Sequence, residues 1–276
     1  MGGSLNVQWI HGSANCAANT DPPLQVHQFD ENTYILRQNK CLNGEGPFVY
    51  LLFGNSRALL FDSGARPRPP RTLPVRRIVK KIVDAWLART GKASIDIIVA
   101  HSHSHTDHLF GDGQFIQPGE TVVAPNLPAI QSFFGLTDWP NRTATLDLGN
   151  RLITVIPTPG HEETHIALYD ANTRILLSGD MLYAGLLIVR DWPAYRASAA
   201  RLAKFAQSHP IEFILGAHIE MKRSPMEFYE PATEFQPDEH LLQLGPAHLR
   251  ELHEACERIG NVPRRDVHDE FVIEPV

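Results

Sequence analysis

Residues 101–108 read His-Ser-His-Ser-His-Thr-Asp-His, and within them His103, His105, Asp107 and His108 form the pattern His-x-His-x-Asp-His. No fold needs four metal-capable side chains within six positions for its own stability. Neutral imidazole and carboxylate are the usual protein ligands of zinc and non-haem iron. In an extended segment, alternation points His103 and His105 to the same side, and Asp107 can turn with His108 toward a second ion. The preceding run Ser94-Ile95-Asp96-Ile97-Ile98-Val99-Ala100 is short, apolar and rich in β-branched residues, which reads as a buried strand. The cluster therefore follows the carboxyl end of a strand, where open α/β sheets place their ligands. Gly111-Asp112-Gly113 then breaks the chain. A purification tag or a solvated histidine loop is the alternative, but tags are terminal and uniform, whereas this cluster is internal, mixed and strand-anchored. A register starting at His101 would leave Asp107 and His108 unplaced, so His101 reads as a strand-end residue and not as a ligand.

Ligand-type residues recur downstream in one local context. Arg151–Ile156 reads as a strand, ended by Pro157-Thr158-Pro159-Gly160 just before His161. Arg174–Leu177 is followed by Ser178-Gly179 and then Asp180, and Ile211–Leu215 by Gly216-Ala217 and then His218. Each time an apolar run stops, a glycine turns the chain, and a candidate ligand follows. A single histidine after a strand is usually a hydrogen-bonded loop residue; three such sites behind the 103–108 cluster form a consistent set.

With Leu60-Phe61-Asp62-Ser63-Gly64 upstream, these elements resemble the metallo-β-lactamase superfamily, in that family's order from about residue 46 to 218. Ser63 replaces the usual Thr of the strand-end Asp-Thr-Gly element. The resemblance implies an α/β fold, a four-layer αββα sandwich with a two-metal site at one edge of the sheets. It implies that His103, His105 and His161 bind one ion, that Asp107, His108 and His218 bind the other, and that Asp180 bridges them. Asp62 and His165 would hold ligands in orientation, His165 having an ordinary strand histidine as its alternative. No cysteine occupies a ligand position and no Glu replaces His105, which favours two zinc ions per chain, with iron or manganese also suited to such donors.

The activity implied is a metal-dependent hydrolase in which a hydroxide shared by two ions attacks a small ester, lactone or thioester, with Asp107 moving its proton. Tyr183, three residues past Asp180, resembles a lactonase tyrosine that bonds the oxyanion; a packed core aromatic is the alternative. Alternatives for the whole chain are a mononuclear iron persulfide dioxygenase, in which Asp107 and His108 would be free, and a β-lactamase. The short tail after residue 222 makes a glutathione thioester less secure than the metal site. A metal-free binding module would have no use for seven intact ligand positions.

The chain of 276 residues, 43% of them apolar, can bury a sizeable core in one domain. We expect an irregular N-terminal arm over 1–30 and a single domain over 31–276, with 222–276 supplying a pocket loop, a helix and a strand. Helices are expected over 75–90, with Ile78, Val79, Ile82, Val83, Trp86 and Leu87 on one face and Gly91 at its end, and over 193–208 and 246–259. Paired strands are expected at 48–53 and 58–61. A net charge of −6 gives no footprint for nucleic acid, and no apolar run suits a membrane; the expected partner is a small-molecule substrate. Arg66 and Arg68, on a proline-stiffened loop with Arg71, could receive an anionic substrate group, the alternative being a solvated loop. Tyr229, with Phe228 and Phe235, could wall the pocket. Cys16, Cys41 and Cys256 are scattered and odd in number, so no disulfide framework is expected. Met1-Gly2-Gly3-Ser4 has the composition of a cloning remnant, with no signal-like region after it. A cytoplasmic location is the default, although a secreted form lacking its signal would look the same.

Overall fold

The computed structural model describes residues 3–276; the Met1-Gly2 half of the candidate cloning remnant lies outside the described residues. Phe48–Phe53 (FVYLLF) is apolar throughout, so its sheet must be covered on both faces. The first sheet contains β1 (Leu24–Asp30), β2 (Thr33–Gln38), β3 (Phe48–Phe53), β4 (Arg57–Phe61), β5 (Asp96–Ala100) and β6 (Glu120–Val122), adjacent in that order. Helix α1 (Val75–Thr90) makes the crossover between the parallel pair β4 and β5. After α2 (Leu127–Phe134), a second sheet is built from β7 (Ala144–Asp147), β8 (Leu152–Pro157), β9 (Ile166–Asp170), β10 (Ile175–Gly179), β12 (Phe213–Gly216) and β13 (Gln243–Leu244). Between β10 and β12 lie β11 (Leu186–Val189) and α3 (Trp192–Ala206). After α4 (Pro246–Ile259), β14 (Asp266–Val267) and β15 (Val272–Pro275) join β11 in a small third sheet.

The period of two along each strand sorts the core into three clusters. From β3, Phe48, Tyr50 and Leu52 point between the two large sheets, where they meet Ile153, Val155, Leu168 and Leu177. The alternate residues Val49, Leu51 and Phe53 face α1 and pack on Val79, Val83 and Trp86. From the second sheet, Ile156, Tyr169 and Leu176 point outward to Leu202 of α3 and Leu252 of α4. The layers are therefore helix, sheet, sheet, helix, the sandwich that the resemblance implied. Strands buried on both faces carry no polar alternation, which is why their sequences read as unbroken apolar runs.

Helix α1 has its expected bounds, ended by Gly91 in the left-handed region at φ 71°. Helix α3 starts at Trp192 because Asp191 accepts the Ala194 amide, and it stops at Ala206, short of the expected 208. Helix α2, capped by Asn126 on the Ala129 amide, was not anticipated. Residues 24–30 of the arm expected to be irregular form β1, which pairs antiparallel with β2.

The cysteines correct the sequence reading. Cys16 and Cys41 form a disulfide with Cα atoms 5.1 Å apart, and Cys256 is a free, buried thiol that burial pushes up to about 12. The Arg71 guanidinium donates to the carbonyls of both bridged cysteines, so one of the three loop arginines is structural. A crosslink spanning 25 residues restricts the unfolded chain by about 3 kcal/mol. Thiol titration should find no reactive thiol in the native protein, one after unfolding without reductant, and three after reduction. Three in the unfolded, unreduced chain would refute the bridge.

Candidate metal centre

Five strand ends converge on one edge of the sandwich. β4 ends at Asp62, β5 leads into 101–108, β8 into Thr158–His161, β10 into Asp180, and β12 into His218. Two bonds hold the sheets together there: the Phe48 amide donates to Ala217 O at 2.8 Å, and the Tyr50 hydroxyl donates to Gly216 O. Close approach at this edge demands glycine. Gly179 has φ 52°, and a Cβ there would lie 2.7 Å from Ser102 Cβ and 2.8 Å from His165 Nε2. At Gly160 (φ 142°), a Cβ would run into the backbone of Tyr195.

The seven expected ligands come together. His103 Nε2 and His161 Nε2 lie 2.8 and 2.9 Å from His105 Nδ1. Asp107 Oδ2 lies 3.3 Å from His108 Nε2 and 3.4 Å from His218 Nε2. Between these triads, Asp180 Oδ2 is 3.5 Å from His161, and 3.7 Å from His103 and His108, while its Oδ1 is 3.7 Å from His218. His101 stands apart, beside Asp112 at 3.1 Å, as its strand-end reading required.

Hydrogen bonds behind the rings decide which nitrogen faces inward. His161 Nδ1 donates to Ile188 O at 2.7 Å and His218 Nδ1 to Glu45 O at 3.2 Å. His108 Nδ1 donates to Asp62 Oδ2 at 3.0 Å. Ser102 Oγ gives its proton to Asp62 and accepts from His103 Nδ1 at 3.0 Å. With those protons committed, the Nε2 atoms of all four rings face into the site. His103, His105 and His161 thus present three nitrogens, and even a proton on His105 Nδ1 could satisfy only one neighbour. Such converging lone pairs repel unless a cation lies among them. His108 Nε2 and Asp180 Oδ1 are also buried without a hydrogen-bond partner. Orphaned polar atoms of this kind are costly in a protein interior, and the residues fit a metal: His103–His105–His161, His103–His108–Asp180 and Asp107–His108–His218 form three overlapping groups that could hold an ion.

The electrostatics differ between the two groups: against the cost of burial, Asp107, Asp62 and Asp180 hold His108 well above the usual histidine range, and Asp180 with Asp107 raises His218 to about 9. Burial, reinforced by the neighbouring imidazoles, holds His103 well below the usual histidine range; burial and His161 lower His105 as well. These rings are neutral, as ligands must be. Burial opposes ionisation of Asp107 and Asp180, but the facing histidines outweigh it and hold both carboxyls well below their usual range.

Asp62 takes its expected place. Left-handed at φ 67° just past β4, it accepts the Ser102 amide at 2.7 Å as well as the His108 ring. His165 also acts through another residue: its Nδ1 donates to Thr158 Oγ1 at 2.7 Å, and its Nε2 accepts the Asp180 amide at 3.1 Å. Burial and His161 push His165 down to about 3, which keeps that acceptor available.

Other expectations need correction. The ring of Tyr183 packs edge-on to His218, but its hydroxyl is turned away, donating to Leu186 O at 2.6 Å and lying 3.2 Å from Glu220. Arg68 pairs with Glu234, and Tyr229 accepts the Asp238 amide at 3.0 Å within its own tail. Arg66 is exposed, its guanidinium over Phe110. Sequence reasoning missed Arg190, which stands beside His161 with Glu162, Glu163 and Asp191. A cavity of about 530 Å³ beside His161 is lined by Leu127, Trp139, Pro159 and Arg190. Its only sequence signal was a charged residue directly after an apolar run.

A family model described as the metallo-β-lactamase superfamily matches residues 42–218, and the chain belongs to that superfamily. The acyl-coenzyme A thioesterase MBLAC2 of Bos taurus is 25% identical over 215 residues, covering 64% of this chain and 74% of that protein. The hydroxyacylglutathione hydrolase of Ectopseudomonas mendocina (strain ymp) is 32% identical over 106 residues, 37% of this chain and 38% of that one. Among solved structures, a metallo-β-lactamase from Pontibacter korlensis superposes with a TM-score of 0.53 at 16% identity, over 85% of this chain and 99% of that one. The mono-zinc form of FIM-1 from Pseudomonas aeruginosa gives 0.54 at 14% identity, over 89% and 99%. At such identities these two show the fold alone.

Removing Asp62 should loosen the His108 ring without removing a ligand. Asp62→Ala is expected to weaken binding of one ion by about 10- to 100-fold, measured by competition with a chromophoric chelator. Unchanged metal affinity would contradict the role given to Asp62.

Proposed function

We propose that the chain is a metal-dependent hydrolase of small thioesters and related esters, working with two zinc ions. His103, His105 and His161 hold one, Asp107, His108 and His218 the other, and Asp180 lies between them. One observation carries the reading: a single buried carboxylate reaches toward both nitrogen groups, within 3.5–3.7 Å of four imidazoles. The assembled second group supports two ions over the one-iron alternative, in which Asp107 and His108 would be free. A donor set of nitrogen and oxygen, with no thiolate, suits zinc, and also iron or manganese.

When bound, such a pair lowers the pKa of a shared water toward about 7 and polarises an acyl carbonyl. The chain's own groups do the rest. Asp107, with 24% of its side chain exposed against 8% for Asp180, faces the open side of the site. Its ionised carboxylate orients the attacking water and receives its proton. His165 and Asp62 hold Asp180 and His108 still while charge develops. The substrate's longer arm lies in the cavity beside His161, against Trp139 and Leu127. Arg190 lines this cavity together with Glu162, Glu163 and Asp191, and its exposed guanidinium is the cationic group there that could meet a substrate phosphate or carboxylate. It takes the role that the sequence suggested for Arg66 and Arg68.

The thioester preference draws on relatives named as thioester hydrolases, and coenzyme A thioesters carry the anionic group that Arg190 would meet. The lactonase reading rested on Tyr183, whose hydroxyl is engaged elsewhere. The Cys16–Cys41 bridge favours an oxidising compartment over the cytoplasmic default.

Asp180→Ala should leave the circular dichroism unchanged and reduce thioester hydrolysis to the uncatalysed background; sustained turnover by that variant would sink the proposal. Arg190→Met should raise KM for a short acyl-coenzyme A by about tenfold, the scale of one lost charge-assisted contact. Its kcat, and its kinetics on an uncharged thioester, should stay near wild type; equal effects on both substrates would remove Arg190 from recognition.

A further inference from the structure

The loop between β2 and β3 reaches the metal centre through one backbone atom. Glu45 O accepts the His218 Nδ1 proton at 3.2 Å, and Lys40 Nζ lies 3.5 Å from the same oxygen. His218 follows a Gly-Ala turn, and among the described residues this is the one hydrogen bond its ring makes outside the ligand set. The position of Glu45 therefore sets the direction in which His218 Nε2 points.

Glu45 is held on one side by Gly46 and Pro47 leading into β3, and on the other by a chain of bonds that runs back to the Cys16–Cys41 crosslink. Asn43 Oδ1 accepts the Glu45 amide at 2.9 Å, and Asn43 Nδ2 donates to Arg66 O at 2.8 Å. The Leu42 and Asn43 amides donate to Asn39 O, and Asn39 Oδ1 accepts the Cys41 amide at 2.8 Å. Asn39 Nδ2 donates to Asn19 Oδ1 at 2.8 Å, in the arm that carries Cys16. Arg71 closes the arrangement on the carbonyls of Cys16 and Cys41. The arm between residues 3 and 23 contains no helix or strand of its own, so the disulfide is its covalent anchor to the loop.

We infer that the Cys16–Cys41 disulfide is a positioning element of the metal centre, acting through Glu45 on His218 and so on the ion of the Asp107–His108–His218 group. The inference rests on the two-ion reading. The other group is insulated from this loop, because His103 is oriented by Ser102 and His161 by Ile188. Loss of the crosslink thus acts on one ion and spares its neighbour, whereas a crosslink serving only general stability would affect both ions alike or neither.

The test compares the full chain with its Cys16→Ser/Cys41→Ser double variant, titrating zinc against a chromophoric chelator to resolve two dissociation constants. One of the two constants should rise at least about tenfold, as when support behind a ligand histidine is removed. The other constant should stay within about twofold, and kcat should fall more than KM rises. Two unchanged constants, or two that rise together, overturn the inference while leaving the two-ion reading intact. A wild-type protein that takes up a single zinc ion overturns that reading and the inference with it. If the double variant does not fold, Asn43→Ala, which keeps the crosslink and frees Glu45, must produce the same selective loss.

Discussion

A carboxylate side chain 8% exposed, facing four imidazoles and accepting no hydrogen bond at Oδ1, governs how the strands around it must end. An isolated ionised carboxylate in a protein interior costs several kcal/mol, and Asp180 stays ionised because opposite or polarisable groups surround it. Those groups come from three other strand ends and two sheets. They meet only if β5, β8, β10 and β12 finish at the same edge with the right register. The layered core, the glycine at 179 and the bonds from β3 to Gly216 and Ala217 all serve that alignment.

Behind the ligands, the chain has committed its protons. Carbonyls of Ile188 and Glu45, the Asp62 carboxylate and the Ser102 hydroxyl each take an Nδ1 proton, which leaves Nε2 facing inward. His105 is the exception, presenting Nδ1. The orientation of the site is thus a property of the surrounding backbone as much as of the ligands. This links the centre to regions far away in sequence, including a disulfide more than a hundred residues before Asp180.

Much of the arrangement was legible in the sequence. Strand-plus-turn contexts marked His161, Asp180 and His218, because a buried strand and the glycine that ends it are both local signals. The bounds of α1 followed from apolar periodicity and Gly91, and α4 occupies its expected range of 246–259. What was not legible depends on tertiary direction. Nothing local separates the Tyr183 hydroxyl turning toward Leu186 from one turning toward the histidine cluster. An odd number of cysteines hides a pair that only the folding of the arm onto the β2–β3 loop brings together. Arg190 lacked any motif, while the conspicuous arginines at 66, 68 and 71 serve an exposed rim, an ion pair and the disulfide loop.

The central claim, that two nitrogen-rich groups share one carboxylate in order to hold two ions, is tested most directly by elemental analysis. The protein should be purified without a histidine tag and without added metal. The account predicts about two divalent ions per chain, predominantly zinc, as a shared-water mechanism requires. A single iron per chain would contradict it.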